Sequence, residues 1–402
     1  MVNQMVKTAV PRLRFPEFLQ AVAWEMKPLS ALLDYERPEK YIVKDTNYQS
    51  SGTPVLTANK SFILGYIQEV DGVCTDIPVV IFDDFTTDKK YVDFPFKVKS
   101  SAIKILKAKG DDSLRVIFEL MGRIKFEQKD HKRYYISEYQ NIEVAIPEPP
   151  EQRKISDCLT SLDEVIAAQG KKVEALKAHK RGLMQQLFPR EDEASPRLRF
   201  PEFSSGPIWK EKKLGELASV VRGGSPRPID DFLTSSADGH NWLKIGDVDR
   251  EAMYVTKTEE KVRPEALSKT RVIQPGDFIL SNSMSFGRPY ISKIKTCIHD
   301  GWIAVTRIPD GLDREFLFYS ILSERSQAYF MDQAAGSGVL NLNKDIIKLL
   351  VLGLPSVEEQ SRIASCLSSL DSQITAESTQ LVALKTHKQG LMQQLFPAQG
   401  AG

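Results

Sequence analysis

Ala175-Leu-Lys-Ala-His-Lys-Arg-Gly-Leu-Met-Gln-Gln-Leu-Phe-Pro189 returns as Ala383-Leu-Lys-Thr-His-Lys-Gln-Gly-Leu-Met-Gln-Gln-Leu-Phe-Pro397, with thirteen of fifteen positions identical. A match of that length marks an internal duplication, so the chain has to be read as two halves before any local element is assigned. Pro11-Arg-Leu-Arg-Phe-Pro-Glu-Phe18 recurs unchanged as Pro196 to Phe203, and Trp24 and Trp209 keep the same displacement of 185 residues. The terminal block is displaced by 208, so the second half carries about 23 extra residues between its two anchors. Each half is a constant frame around a variable insert.

The repeated block closes a long helix. Ile155, Leu159, Leu162, Ile166, Gln169, Val173, Leu176, Lys180, Leu183 and Leu187 alternate steps of four and three, the spacing of a coiled-coil seam. Ile363, Leu367, Leu370, Ile374, Glu377, Leu381, Leu384, Lys388, Leu391 and Leu395 repeat it in the same phase. Pro149 and Pro150 open the first helix, Ser356 with Glu359 forms a capping box at the second, and Pro189 and Pro397 end them. At 1.5 Å per residue each is a rod of roughly 57 Å. The short connection from Arg190 to Ala194 makes antiparallel pairing of the rods the economical solution. A register with Lys180 against Glu377 sets Gln169 against Lys388, Val173 against Leu384 and Leu176 against Leu381. Sliding by one heptad would put Lys180 against Leu370, an unpaired charge on this reading. Antiparallel rods also bring Pro11 to Phe18 close to Pro397, so that the two chain ends meet.

The inserts read as mixed α/β, with β-branched and aromatic runs between turn residues. Strands are expected at Val79 to Phe82, Ala102 to Leu106, Ile142 to Ile146, Trp242 to Ile245, Phe278 to Leu280 and Trp302 to Val305. Leu114, Ile117, Phe118 and Met121 share one helical face, and Asp313 to Gln333 forms a longer helix. The expected fold is α+β: two mixed α/β domains at opposite ends of an antiparallel coiled coil of two long helices, related by an internal pseudo-twofold repeat. Its boundaries are 11–147 for the first insert domain, 148–189 for the first spacer helix, 190–354 for the second domain and 355–397 for the second spacer.

With 402 residues, 42% hydrophobic and 27% charged, the chain has the composition of an ordinary globular protein. No apolar run approaches the roughly 20 residues of a membrane span, and Met1 to Val10 lacks the apolar core of a signal peptide, so the expected location is the cytoplasm. The four cysteines form no CxxC pair, which argues against a zinc site and a disulfide framework. His179 and His387 sit on helices without a second ligand one turn away. There is no phosphate loop ending in Gly-Lys-Ser/Thr, which argues against an ATPase. Asp83 and Asp84 lack the Glu-x-Lys of a metal-dependent nuclease; they bridge two strands or accept from cytosine amino groups.

Two variable domains on repeated long helices resemble the specificity subunit of Type I restriction-modification systems. The resemblance is carried by Glu151-Gln-Arg-Lys-Ile155 and Glu359-Gln-Ser-Arg-Ile363, by the seams, and by motifs within the inserts. The second insert has Arg222-Gly-Gly-Ser-Pro226, Gly276-Asp-Phe-Ile-Leu280, Ser281-Asn-Ser-Met-Ser-Phe-Gly287 and Leu340-Asn-Leu-Asn343. The first has Pro54-Val-Leu-Thr-Ala-Asn-Lys60, Ile81-Phe-Asp-Asp-Phe-Thr-Thr87 and Asp130-His-Lys-Arg133. The resemblance implies a non-catalytic subunit whose target-recognition domains each read one half of a split DNA target across a gap set by the helices. It implies two adenine-methyltransferase (modification) subunits and two motor-nuclease (restriction) subunits as partners beside double-stranded DNA, with no membrane. S-adenosylmethionine, ATP and Mg would be used by those partners, and no cofactor by this chain. The alternative is a coiled-coil scaffold or adaptor without sequence-specific DNA reading.

Reading base edges needs forked donors or amides on loops, with Arg or Lys for guanine and Asn or Gln for adenine. In the first domain His131, Lys132, Arg133 and Tyr134 are the candidates, with Lys60, Lys89 and Lys90 as phosphate contacts. The displacement of 208 sets His131 on Val339 and Arg133 on Asn341, so both halves place a polar loop at one equivalent position. In the second domain the candidates are Arg222, Ser225, Arg227, Lys244, Asn282, Arg288, Ser337 and Asn341, on Gly- or Ser-rich loops. Arg222 and Arg227 could instead brace the Gly-Gly turn. A net charge of +1 is low for a DNA binder. It implies weak, salt-sensitive binding by the isolated chain, with partner subunits supplying most phosphate neutralisation.

Overall fold

The computed structural model describes residues 8–59, 61–130, 132–282, 286–335 and 342–397. The chain divides into two compact units, Met1–Gln169 with Gln380–Gly402, and Gly170–Thr379. Each unit therefore owns one insert and half of each long helix.

The first insert is built on a four-stranded antiparallel sheet in the order Leu33–Glu36, Ile103–Ala108, Val79–Asp83, Lys89–Val92. All five residues of Val79–Asp83 are buried, since both faces of this strand are covered. Val80, Phe82 and Leu106 pack on Val116, Ile117, Leu120 and Met121 of the helix Leu114–Arg123. Val79, Ile81, Ile103 and Ile105 pack on the other side with Phe96 and with Leu56 and Val98 of a smaller sheet. The second insert repeats the plan in the order Ser219–Arg222, Trp302–Thr306, Phe278–Ser281, Pro289–Ser292, Tyr254–Val255. Its helix-facing side is Phe278, Leu280, Ile291, Ile303 and Val305, and its reverse side Ile279, Tyr290, Trp302 and Ala304. The expected α+β class holds in both units. Two expectations fail locally: the strand at Trp242 is His240–Leu243, with a 3-10 turn over Ile245–Asp247. The helix read as Asp313 to Gln333 is two, Arg314–Leu322 and Glu324–Ala335. Ser323 separates them, its hydroxyl donating to Ser320 O at 2.7 Å and accepting from Ser326 N–H at 3.4 Å.

Each insert is zipped where it enters and leaves the frame. Trp24–Pro28 pairs antiparallel with Glu143–Ile146, and Lys210–Lys213 with Val351–Leu354. The repeated motifs lie at these junctions and make matching contacts. Arg14 donates to both oxygens of Glu151 at 2.9 and 2.6 Å, and Arg199 to both oxygens of Glu359 at 2.8 and 2.6 Å. Gln152 accepts from Ser113 N–H and donates to Pro147 O, as Gln360 accepts from Asp313 N–H and donates to Pro355 O. Trp24 meets Phe396 edge-on at 6.0 Å, and Trp209 meets Phe188 at 6.4 Å. Leu13 N–H donates to Gln394 O, and Leu198 N–H to Gln186 O, both at 3.0 Å. The chain's first motif thus docks on its last helix, as expected. One asymmetry remains: Trp24 Nε1 donates to Glu151 at 3.3 Å, whereas Trp209 Nε1 has no hydrogen-bond partner among the described residues.

The long helices run Pro149–Leu187 and Val357–Leu395, 39 residues each. Every expected seam residue is buried or half-buried, and Ser356 Oγ accepts from Glu359 N–H at 3.3 Å. Only half of the capping box forms, because the Glu359 carboxylate is held by Arg199. The expected register is wrong. Lys180 pairs with Asp371 at 2.5 Å and Lys172 with Glu377 at 2.6 Å, about one heptad from the Lys180–Glu377 alignment. In the other unit the duplicated counterpart, Lys388, pairs with Asp163 at 2.5 Å. The expectation weighed only seam residues against each other. Asp371 and Asp163 flank the seam, next to Leu370 and Leu162, and reach each lysine from beside it, so the rejected register leaves no charge unpaired.

Candidate nucleic-acid interface

The pairing order brings the C-terminal ends of Leu33–Glu36 and Val79–Asp83 to one end of the first sheet, beside the start of Ile103–Ala108. Asp84, just past the central strand, organises that end. Its backbone N–H donates to Ala102 O at 2.9 Å, its carbonyl accepts from Tyr134 N–H at 2.8 Å, and its carboxylate accepts from Tyr135 N–H at 2.8 Å. Lys104 Nζ lies 3.4 Å from the same carboxylate, both side chains almost fully buried. Asp83 accepts from Phe85 and Thr86 N–H at 2.9 Å each, holding the turn that sets Thr87 at φ 56°. Of the two roles read for this aspartate pair, Asp84 takes the bridging one, and both residues are buried among these partners. In the second unit Asn282 N–H donates to Gly301 O at 3.1 Å and Asn282 O accepts from Leu342 N–H at 2.9 Å. Tyr134 and Leu342 are separated by the expected 208 residues. The two candidate loops therefore end on the same strand terminus of equivalent sheets.

Lys60, His131, Ser337 and Asn341 lie outside the described residues. Lys132 is exposed, paired with Glu138 at 2.7 Å, a bond that raises its pKa. Arg133 is exposed, its guanidinium 5.8 Å from the Phe85 ring centroid. Tyr134 is not available to DNA as expected: it is 1% exposed, and its hydroxyl is bonded to the backbone of Asp130. Its ring closes the loop from within, against Phe126. Lys89 is half-buried over the Tyr139 ring, and burial lowers its pKa, a poor setting for a phosphate contact, while Lys90 is half-buried on the same strand. In the second unit Arg222 Nε donates to Asp300 O at 3.0 Å. Ser225 Oγ donates to Asp300 Oδ1 at 2.8 Å, and Arg227 Nη2 to Oδ2 at 3.2 Å. Asn282 Nδ2 lies 3.5 Å from Asp300 O. Four candidates thus converge on Asp300, a residue without any local sequence signal. Lys244 is nearby, paired with Glu260 at 2.8 Å, and Arg288 is elsewhere, reaching Ala252 O at 3.4 Å.

The family model for the Type I restriction modification DNA specificity domain matches residues 208–386. Over 376 residues the chain is 30% identical to the EcoR124I/EcoR124II specificity subunit of Escherichia coli, and the alignment covers 88% of each. The chain belongs to the Type I restriction enzyme specificity subunits. It is also 25% identical over 272 residues to the MjaVIII specificity subunit of Methanocaldococcus jannaschii, across 64% of this chain and 62% of that one. The crystal structure of the Type I S subunit from M. genitalium shares its fold, with a TM-score of 0.65 over 96% of this chain and 99% of that chain at 14% identity. A second structure, described under complex assembly and conformational transition of the Type I R-M system, matches at TM-score 0.55 over 91% and 98% of the two chains at 17% identity.

A specificity subunit supplies recognition and not catalysis, and the side chains at the two sheet ends suit that division. Arg222, Arg227, Arg133 and Asn282 are forks and an amide on turns anchored by strand termini. Arg222-Gly-Gly-Ser-Pro226 is seated backbone to backbone: Gly223 N–H donates to Trp302 O at 2.9 Å, and a Cβ on Gly223 would lie 2.0 Å from His299 O. Beside it opens a cleft of about 430 Å³ lined by Arg227, Ile229, Trp242, Lys244, His299 and Asp300. Burial lowers the His299 pKa, and its Nδ1 accepts from Gly301 N–H at 2.7 Å, so the neutral ring serves as an acceptor there. The bond from Ser225 leads the effects that hold Asp300 below the usual carboxylate range. Arg37 is a further candidate that the sequence reading did not name. It stands 185 residues before Arg222, past the end of the equivalent strand, and is exposed. The displacement already seen in the tryptophans would have found it. Among the described residues no group of acidic, His or Cys side chains could hold a metal ion, and no helix is long and apolar enough to cross a membrane.

Proposed function

We propose that this specificity subunit reads a split DNA target, one half by residues 11–147 and the other by residues 190–354, with the helices of 148–189 and 355–397 setting the gap. The observation that carries this is the repeated sheet end. The frame contacts are kept pair by pair, while the loops above Asp84 and Asn282 carry different polar side chains. A duplicated platform with divergent contact residues is suited to two different half-targets; a scaffold alone would not need divergent loops. We further propose that the helices recruit two adenine-methyltransferase subunits, and through them two restriction subunits. S-adenosylmethionine, ATP and Mg then serve those partners in the cytoplasm, with no cofactor on this chain. The test is methylation by the reconstituted complex on random DNA, read as the map of modified adenines. A bipartite motif with a fixed gap is expected, and exchanging the loops of 190–354 for those of a relative should change one half only. Methylation without sequence preference, or a change in both halves, would overturn the reading.

A further inference from the structure

We propose that Asp300 is the positioning residue for the recognition loop of the second unit, acting through Arg227 and Arg222 and not by contacting DNA itself. The proposal rests on the reading of that unit as a half-target reader. Asp300 sits just before the strand Trp302–Thr306, so its backbone is fixed by the sheet end; Gly223 and Gly224 seat the neighbouring turn through their backbone, and the exposed Arg222 and Arg227 side chains on either side of it are held by Asp300. The carboxylate spans the turn: Oδ1 accepts from Ser225 and Oδ2 from Arg227, while the carbonyl takes Arg222. Ser225 Oγ also accepts from Asp300 N–H at 3.2 Å, so the serine and aspartate clasp each other twice. The Arg227 side chain is 82% exposed and spends one N–H on Asp300; among the described residues the rest of its fork has no hydrogen bond. A reader built this way presents guanidinium groups whose orientation is set before DNA arrives, which lowers the ordering cost of each base contact. A carboxylate facing phosphate would be repelled, so its place at this edge is explained by Arg227, which it neutralises and aims.

The experiment uses the complete complex with its modification subunits and a DNA library randomised across the target. Asp300→Asn keeps the shape and one acceptor but removes the charge. It is expected to cost about tenfold in discrimination at one half-target, the scale of a single forked base contact, with the other half unchanged. Ser225→Ala, which leaves the charge in place, should shift the same half in the same direction by less. Combining Asp300→Asn with Arg227→Ala should add nothing to Arg227→Ala alone, because the charge that is removed holds Arg227, while the carbonyl that takes Arg222 and an acceptor for Ser225 are both kept. If the losses multiply, Asp300 contacts DNA independently of Arg227 and the positioning role is wrong. Equal loss at every position of the library is the mark of a general structural role and would overturn it too, as would an unchanged profile in both variants. A wild-type complex without a bipartite preference would instead remove the underlying functional reading, an outcome separable from all of these.

Discussion

Arg14→Met tests whether the frame is held by charge inside the protein. The Arg14 and Glu151 side chains are 6% and 3% exposed, and the two bonds between them are 2.9 and 2.6 Å. Removing the arginine strands a buried carboxylate with only the 3.3 Å bond from Trp24 Nε1. Breaking one side of a buried pair costs about 3–5 kcal/mol. In a unit of this size that corresponds to a loss of about 6–20 °C in melting temperature, at about 2–4 °C per kcal/mol. The partner change Glu151→Leu alone strands the arginine, while the double change removes both charges and should recover most of the loss. Hydrogen exchange of the intact chain is the assay. Protection should fall in Trp24–Pro28, Glu143–Ile146 and the first turns of Pro149–Leu187, with residues 210–354 keeping theirs. Arg199→Met should produce the mirror result, and more strongly, since Trp209 gives Glu359 no second donor in this structure. A loss under about 1 kcal/mol, the range of a surface pair, would refute the argument that these motifs are buried clamps.

Lys180→Met leaves Asp371 with the Tyr319 hydroxyl at 2.7 Å and should destabilise Gly170–Thr379 by about 1–3 kcal/mol; the same variant at Glu377, as Glu377→Gln, should cost under about 1 kcal/mol. Chemical unfolding of both variants would expose a wrong register if their order were reversed. A circular permutant opened between Arg190 and Ser195, with the chain ends joined, should fold and melt within a few degrees of the parent, because Leu13 already bonds to Gln394. An insoluble or unfolded permutant counts against that closure. Burial alone would raise the Glu36 pKa, but bonds from Lys40, Lys107 and Tyr41 bring it down to about 2. A depressed carboxylate contributes stability above its unfolded pKa near 4.5 and loses it as pH falls toward 2. Glu36→Gln should therefore flatten the pH dependence of unfolding between about pH 4.5 and 2, and an unchanged slope would contradict it.

The frame was legible because it is periodic and repeated. Seam phase, helix limits and the meeting of first motif with last helix all follow from identical words at fixed displacements. Register was not legible, since it depends on Asp371 and Asp163, which a seam pattern passes over. The sheet end of the second unit was half legible: the candidates Arg222, Ser225, Arg227 and Asn282, named from the sequence, do come together around Asp300. Asp300 was not, because it lies 78 residues from Arg222 and joins it only through strand order. Tyr134 was misread for a related reason. A tyrosine beside Lys132 and Arg133 looks like part of their exposed face, yet its hydroxyl is spent on the loop's own backbone.

The low net charge and the candidate contacts now bear on one another. Arg227 is paired with Asp300, Lys244 with Glu260 and Lys132 with Glu138, so much of the positive charge near the sheet ends is already neutralised within the protein. A lysine held this way must exchange one partner for another on meeting DNA, whereas Arg227 keeps Asp300 and offers the remaining N–H groups of its fork. Cations arranged in this way gain little against a featureless phosphate backbone and more against a base edge that matches the direction in which Arg227 is held. Under the proposed function this trades affinity for discrimination, which is tolerable in a subunit whose partners hold the duplex. The isolated chain should then bind DNA weakly, but with a shallower dependence on salt than the salt-sensitive binding expected from the sequence, because the paired cations make few phosphate contacts. Arg227→Ala should leave that slope unchanged within error while erasing preference at one half-target. Fluorescence anisotropy across a salt series provides the measurement. A slope for the isolated chain as steep as that of a protein making six or more phosphate contacts would show that these cations are free to neutralise phosphate after all.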